Sequence, residues 1–103
     1  LAGGDHGGAV RLLEQSHRMA RDQGRGRMAS RSGFELGRAL RLSGRAQEAE
    51  ALVRAALDGA RERRSGTDEV RVLEELAVLA EGRGDLAEAE QYRAASRQVR
   101  DGG

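Results

Sequence analysis

Apolar and small residues recur along the chain at three- and four-residue steps, and glycine-centred breaks interrupt them. The stretch from Gly33 to Leu57, GFELGRALRLSGRAQEAEALVRAAL, carries the pattern most fully. Its first half holds Leu36, Gly37, Ala39 and Leu40, and a turn falls at Ser43-Gly44-Arg45. The second half holds Ala46, Ala49, Val53, Ala56 and Leu57. This spacing puts each set on one side of a helix, so the stretch reads as a helix–turn–helix hairpin with two buried stripes. Gly37 and Ala49 are small where the two helices must approach closely.

Extended in both directions, the same pattern predicts about five helices. Helix one spans about Gly8 to Asp22, with Ala9, Leu12, Leu13, Ser16 and Met19 inward, and Gly24-Arg25-Gly26 breaks it. Helix two runs from about Arg27 to Ser43 and buries Leu36, Leu40 and the small residues between them. Helix three begins near Ala46 and is expected to continue to Arg64 across Gly59. Thr67 is expected to cap helix four, with Asp68 and Glu69 opposing the positive end of its dipole. That helix presents Val70, Leu73, Leu76, Ala77 and Ala80. After Gly82-Arg83-Gly84, Asp85 and Glu88 have the spacing of a capping box. Helix five turns Leu86, Ala89, Tyr92, Ser96 and Val99 inward, carries Arg97 and Arg100 in its last turn and ends at Gly102-Gly103.

The elements repeat. Gly4, Gly44 and Gly84 are spaced by forty residues, as are Ala9, Ala49 and Ala89, then Leu13, Val53 and Arg93, and Ser16, Ala56 and Ser96. Ahead of each turn Leu36 matches Leu76, Gly37 matches Ala77 and Leu40 matches Ala80. The organisation expected is one domain, 1–103, made of a half repeat (4–24) and two full repeats (27–64 and 67–101).

These hairpins resemble the tetratricopeptide repeat (TPR) family. The residues carrying the likeness are Leu36, Gly37, Leu40, Gly44, Ala49, Ala56 and Leu57, then Leu76, Ala77, Gly84, Asp85, Ala89 and Ser96. The forty-residue period is longer than the usual ~34; it is similar to the variant in kinesin light chains and in large bacterial regulators, and helix three is expected to supply the extra length. Most of the family's aromatic residues are missing, and no proline closes either repeat. The resemblance implies an all-α solenoid of antiparallel helices stacked as a right-handed superhelix. It also implies that the first helix of each hairpin lines a concave groove where peptide ligands lie. Helix one would then be a second helix without its partner, exposing part of its stripe, and the chain a piece of a longer protein.

Composition narrows the function. The chain is 38% hydrophobic and 34% charged, with one Thr, no Ile and no Pro, which suits helices with one buried side and disfavours strands. A net charge of +1 supplies no global field toward nucleic acid or an anionic membrane. All 18 basic residues are Arg, which reads as codon bias of a GC-rich bacterial genome. The absence of cysteine excludes disulfides and thiolate metal sites. The longest apolar run, Leu76 to Ala80, is far too short to span a bilayer, so the expected location is cytoplasmic.

Candidate chemistry lies on the helices expected to line the groove. Arg31, Phe34, Arg38 and Arg41 share one side of helix two, and Arg71, Glu74, Val78 and Glu81 occupy the matching side of helix four. Basic in one repeat and acidic in the next, these eight residues suit a mixed-charge peptide or helix, with Phe34 as the apolar anchor. Arg38 and Arg41 are suited to grip a carboxylate as forks. The competing reading is an ordinary solvated surface, with Phe34 packed against a neighbouring helix. The carboxylate clamp of chaperone-binding family members uses Lys and Asn, and neither type occurs here.

His6 and His17 are too far apart in sequence for a short metal-ligand pair and read as surface residues. Gly24-Arg25-Gly26-Arg27 reads as a turn, since no strand precedes it and no Gly-Lys-Ser/Thr follows. Glu74-Glu75 and Glu48/Glu50 read as solvated carboxylates, and no serine has a nucleophile–base neighbourhood. The expectation is therefore a non-catalytic protein-interaction scaffold without cofactor or metal, in a bacterial cytoplasmic regulatory protein. The alternative is a homodimer through the exposed side of helix one, or through helix five around Tyr92 and Val99. Nucleic-acid contact through Arg25, Arg27, Arg31 and Arg38 is disfavoured by the near-neutral charge.

Overall fold

The computed structural model describes residues 6–102. Gly4 and Gly103, used above for the repeat and for the final turn, lie outside the described residues. Among the described residues the chain forms α1 (His6–Asp22), α2 (Gly26–Leu42), α3 (Ala46–Glu62), α4 (Gly66–Gly82) and α5 (Leu86–Gly102), with no strand. The all-α expectation holds.

Every helix is 17 residues long and every connection is three. The middle residue of each connection is left-handed: Gly24 at φ 65°, Gly44 at 86°, Arg64 at 55° and Gly84 at 83°. The next amide then reaches back five residues, from Arg25 to the Ala20 carbonyl (2.9 Å), Arg45 to Leu40 (2.8 Å), Ser65 to Ala60 (2.9 Å) and Asp85 to Ala80 (2.9 Å). This is the Schellman closure, which satisfies carbonyls a helix end leaves free. The forty-residue repeat is thus two equal steps. Helix three is no longer than the others and stops at Glu62 instead of Arg64, because Arg64 takes the backbone conformation that glycine takes at the other turns.

The start of α4 also differs from expectation. Ser65, not Thr67, is its N-cap: the Asp68 amide donates to Ser65 Oγ at 3.4 Å, and Thr67 sits inside the first turn. At α5 half of the capping box forms. The Glu88 amide donates to Asp85 Oδ1 at 3.0 Å, while the Glu88 carboxylate turns to Arg83.

Consecutive helices pack on one another, and α2 also touches α4. Among the described residues the backbone of α1 lies against α2 alone and that of α5 against α4 alone, with Arg54 of α3 reaching Glu88 of α5 at 3.8 Å, so the helices step along the chain instead of closing into a bundle. The body measures 37 × 33 × 21 Å. Because α4 is touched by α2, α3 and α5, it buries Val72, Leu73, Leu76, Ala77, Leu79 and Ala80 on a wide arc. Each fully buried leucine among them contributes roughly 1.5–3 kcal/mol. The α2 stripe of Gly33, Leu36, Gly37, Ala39 and Leu40 meets Ala49, Val53, Ala56 and Leu57 of α3 in the same core. No described helix is long and apolar enough to cross a membrane.

On α1 the expected stripe is rotated. Val10 and Ala20 are buried and Leu13 and His17 half-buried, whereas Ala9, Leu12, Ser16 and Met19 lie in solvent. The side of α1 that packs is the one facing α2. Leu86, the first residue of α5, is also exposed. Ala46, placed in the α3 stripe above, is exposed as well.

Candidate functional site

A forty-residue offset relates α2 to α4, so the expected contact residues fall in equivalent pairs: Arg31 with Arg71, Phe34 with Glu74, Arg38 with Val78, and Arg41 with Glu81. Their environments are not equivalent, because α2 has α4 beside it.

Three of the eight converge. Arg31, Phe34 and Arg71 line an open notch of about 280 Å³, solvent space at its mouth included, together with Ser30, Ala56, Arg63, Asp68 and Val72. Phe34 is half-buried against the core, so its ring belongs to the α2–α4 packing and forms the apolar floor of the notch. Arg63 is ion-paired with Asp68 at 3.4 Å on the rim. Arg31 and Arg71 are exposed, and among the described residues neither has an ion-pair partner. The notch therefore offers two free guanidinium groups over an apolar floor.

The other five are distributed elsewhere. The Arg41 guanidinium forks onto Glu75, with Nη2 3.3 Å from Oε1 and Nε on Oε2. Glu75 is 6% exposed, so the solvated carboxylate expected at 75 is instead a buried one held by α2. Glu81 accepts from Arg93 at 2.8 Å, and Glu74 pairs with Arg100. The hydrogen bond from Arg93, reinforced by its charge, holds the Glu81 carboxyl below the usual carboxylate range. Glu74 and Val78 share a separate notch with Arg93, Ser96, Arg97 and Arg100. Arg38 stands exposed on α2. The acidic half of the expected groove is thus matched by α5, and the free charge between α2 and α4 is positive.

Ser30, Arg63 and Asp68 are not among the contact residues expected from sequence, where Asp68 figures only as a partner of the α4 dipole. Ser30 had a signal, since it lies one helical turn before Phe34 on the same side. Arg63 and Asp68 flank the α3–α4 turn, and nothing local announces that they meet.

His17, read from sequence as a surface residue, is half-buried between α1 and α2. Its Nδ1 lies 3.1 Å from Ser32 Oγ, and its ring packs on Gly33, where an added Cβ would fall 3.1 Å from Cε1. Ser32 spends its own proton on the Met28 carbonyl at 2.8 Å, so the Nδ1–H donates. Burial lowers the imidazole pKa, and Arg21 adds to this, against an opposing hydrogen bond with the Ala29 backbone. The side chain of His6 lies outside the described residues, although α1 begins there. Among the described residues no three His, Cys, Asp or Glu side chains converge.

The helix-five surface around Tyr92 and Val99 is largely occupied, because both side chains pack on the core beside α4. Comparison with protein-family models, with characterised proteins and with solved structures found no match.

Proposed function

We propose that the chain is a non-catalytic protein-interaction scaffold of the TPR kind, and that the notch between α2 and α4 takes an acidic peptide. The observation that carries the reading is the pair Arg31 and Arg71, two unpaired guanidinium groups flanking Phe34, while neighbouring acids are engaged by α5 or by Arg41. Forked guanidinium groups match carboxylates, and an apolar floor adds an anchor point. The equal helix steps and the forty-residue register support the TPR assignment. A role inside a bacterial cytoplasmic regulator is the setting this reading suggests.

The test is fluorescence anisotropy with labelled acidic peptides carrying a central leucine or phenylalanine. Binding should weaken about tenfold or more in the Arg31→Glu/Arg71→Glu variant. Equal binding by the variant would reject the notch. Arg41 is unsuitable for this test, since Arg41→Glu would set a carboxylate against buried Glu75.

A second reading, self-association, is favoured by the uncovered side of α1, where Leu12 is 67% and Met19 57% exposed.

A further inference from the structure

We infer that the uncovered side of α1 pairs with the same side of a second copy of this chain, antiparallel, about a twofold axis passing opposite Glu14. Two observations converge on it.

The first is an equivalence inside the molecule. Ala9, Leu12, Ser16 and Met19 stand forty residues before Ala49, Leu52, Ala56 and Gly59. In α3 this side receives a helix: Gly37 of α2 lies against Ala49, Leu52 and Val53, and Ser30 of α2 lies against Gly59. The same design on α1 meets nothing among the described residues, and Leu12 and Met19 stand 67% and 57% exposed. A surface continuous in register with a helix–helix interface is shaped for a helix.

The second is that the stripe complements itself. Leu12 and Ser16 lie two residues either side of position 14, and Ala9 and Met19 lie five either side. An antiparallel copy therefore sets Leu12 over Ser16 and Met19 over Ala9, large over small at all four contacts, the arrangement that lets helix surfaces interlock. Glu14 itself is half-buried on the opposite side of α1, so the axis brings no carboxylates together. The antiparallel sense also opposes the two helix dipoles. A parallel pairing would instead stack Leu12 on Leu12 and leave the small residues facing each other.

The interface is one helix pair, below the size of a standard stable interface, so the dimer is a reversible one at micromolar concentrations. Sedimentation of the chain over a concentration series should give a monomer–dimer equilibrium. The Leu12→Glu/Met19→Glu variant should dissociate about a hundredfold more readily while keeping its helical circular dichroism. A chain that stays monomeric at the highest soluble concentration, or a dimer indifferent to these substitutions, would overturn the inference.

Register is tested with cysteines, which the chain lacks. Mixed Leu12→Cys and Ser16→Cys chains should cross-link to each other faster than either cross-links to itself. Faster self-cross-linking of either variant would overturn the antiparallel register. Peptide binding at Arg31 and Arg71 is on other helices, so failure of one proposal leaves the other standing.

Discussion

Arg41 of α2 and Glu75 of α4, 34 positions apart, form a two-pronged ion pair that ties one repeat to the next. The carboxylate is nearly sealed from solvent and the guanidinium a quarter exposed. Such a pair adds little net stability over apolar packing, but removing one partner strands the other. Arg41→Ala should therefore cost about 2 kcal/mol by urea denaturation, from the unpaired buried carboxylate. Glu75→Gln, which keeps the shape and removes the charge, should cost less. The reverse order would mean that Arg41 acts through packing of its stem.

Two glycines on the α2–α3 interface are expected to differ in how much they tolerate a methyl group. A methyl at Gly37 would lie 2.5 Å from Val53 Cγ2 and 3.3 Å from the Ala49 carbonyl oxygen, a backbone atom that cannot turn aside. Gly37→Ala should destabilise by about 1–3 kcal/mol despite alanine's better helix propensity. At Gly59 the nearest obstacles are the Ser30 hydroxyl, which can rotate, and the far end of the Arg63 side chain, leaving only Ser30 Cβ, at 3.3 Å, to give by a few tenths of an ångström. Gly59→Ala should fall within about 1 kcal/mol of the parent. Thermal melts of the two variants side by side would decide whether close approach is needed at both.

What the sequence disclosed follows the range of the interactions involved. Helix number, the α2, α3 and α4 stripes and the close approach at Gly37 were legible, because periodicity and turn residues are local signals. The α1 stripe was read one step off: Leu12 and Met19 fit a helical stripe as well as Val10 and Leu13 do. Only the presence of α2, and the absence of any described helix on the other side, choose between them. Glu75 looked like half of a solvated pair because its partner is 34 positions away. The end of α3 was misplaced because Arg64 does a glycine's work, and Ser65 was passed over as the cap for Thr67 two residues on. At the candidate site, Arg31 and Arg71 were visible as equivalents, whereas Arg63 and Asp68 depend on how the α3–α4 turn closes.

His17 gives the α1–α2 contact a pH dependence. Its folded-state pKa is lowered by burial from the ordinary value of 6.5, so below that value the unfolded chain binds more protons than the folded one. The neutral imidazole's contribution to stability is complete above pH 6.5 and is lost as pH falls toward the depressed pKa. His17→Gln should melt lower than the parent at pH 7.5 and show a smaller drop between pH 7 and pH 5. An unchanged pH slope in the variant would place the titration on other groups.

Arg64 is the one described non-glycine residue with a positive φ, 55°, and it occupies the turn position that Gly24, Gly44 and Gly84 hold elsewhere. For an L residue the left-handed region costs roughly 1–2 kcal/mol, from the approach of Cβ to the following carbonyl. Glycine escapes that cost but loses more backbone entropy on folding, which returns about 0.5–1 kcal/mol. The closure at this turn, Ser65 to the Ala60 carbonyl at 2.9 Å, is as short as those at the glycine turns, so the strain is borne by the residue and not relieved by opening the turn. Arg64→Gly should accordingly raise stability by about 0.5–1 kcal/mol, and Gly44→Ala or Gly84→Ala should lower it by a similar amount. Arg64 forms no ion pair among the described residues, whereas Arg61 and Arg63 bind Glu69 and Asp68 across the same turn, so its removal forfeits no bridge. Chemical denaturation of the three variants against the parent is the measurement; a loss of stability in Arg64→Gly would show that this side chain contributes more than its backbone strain removes.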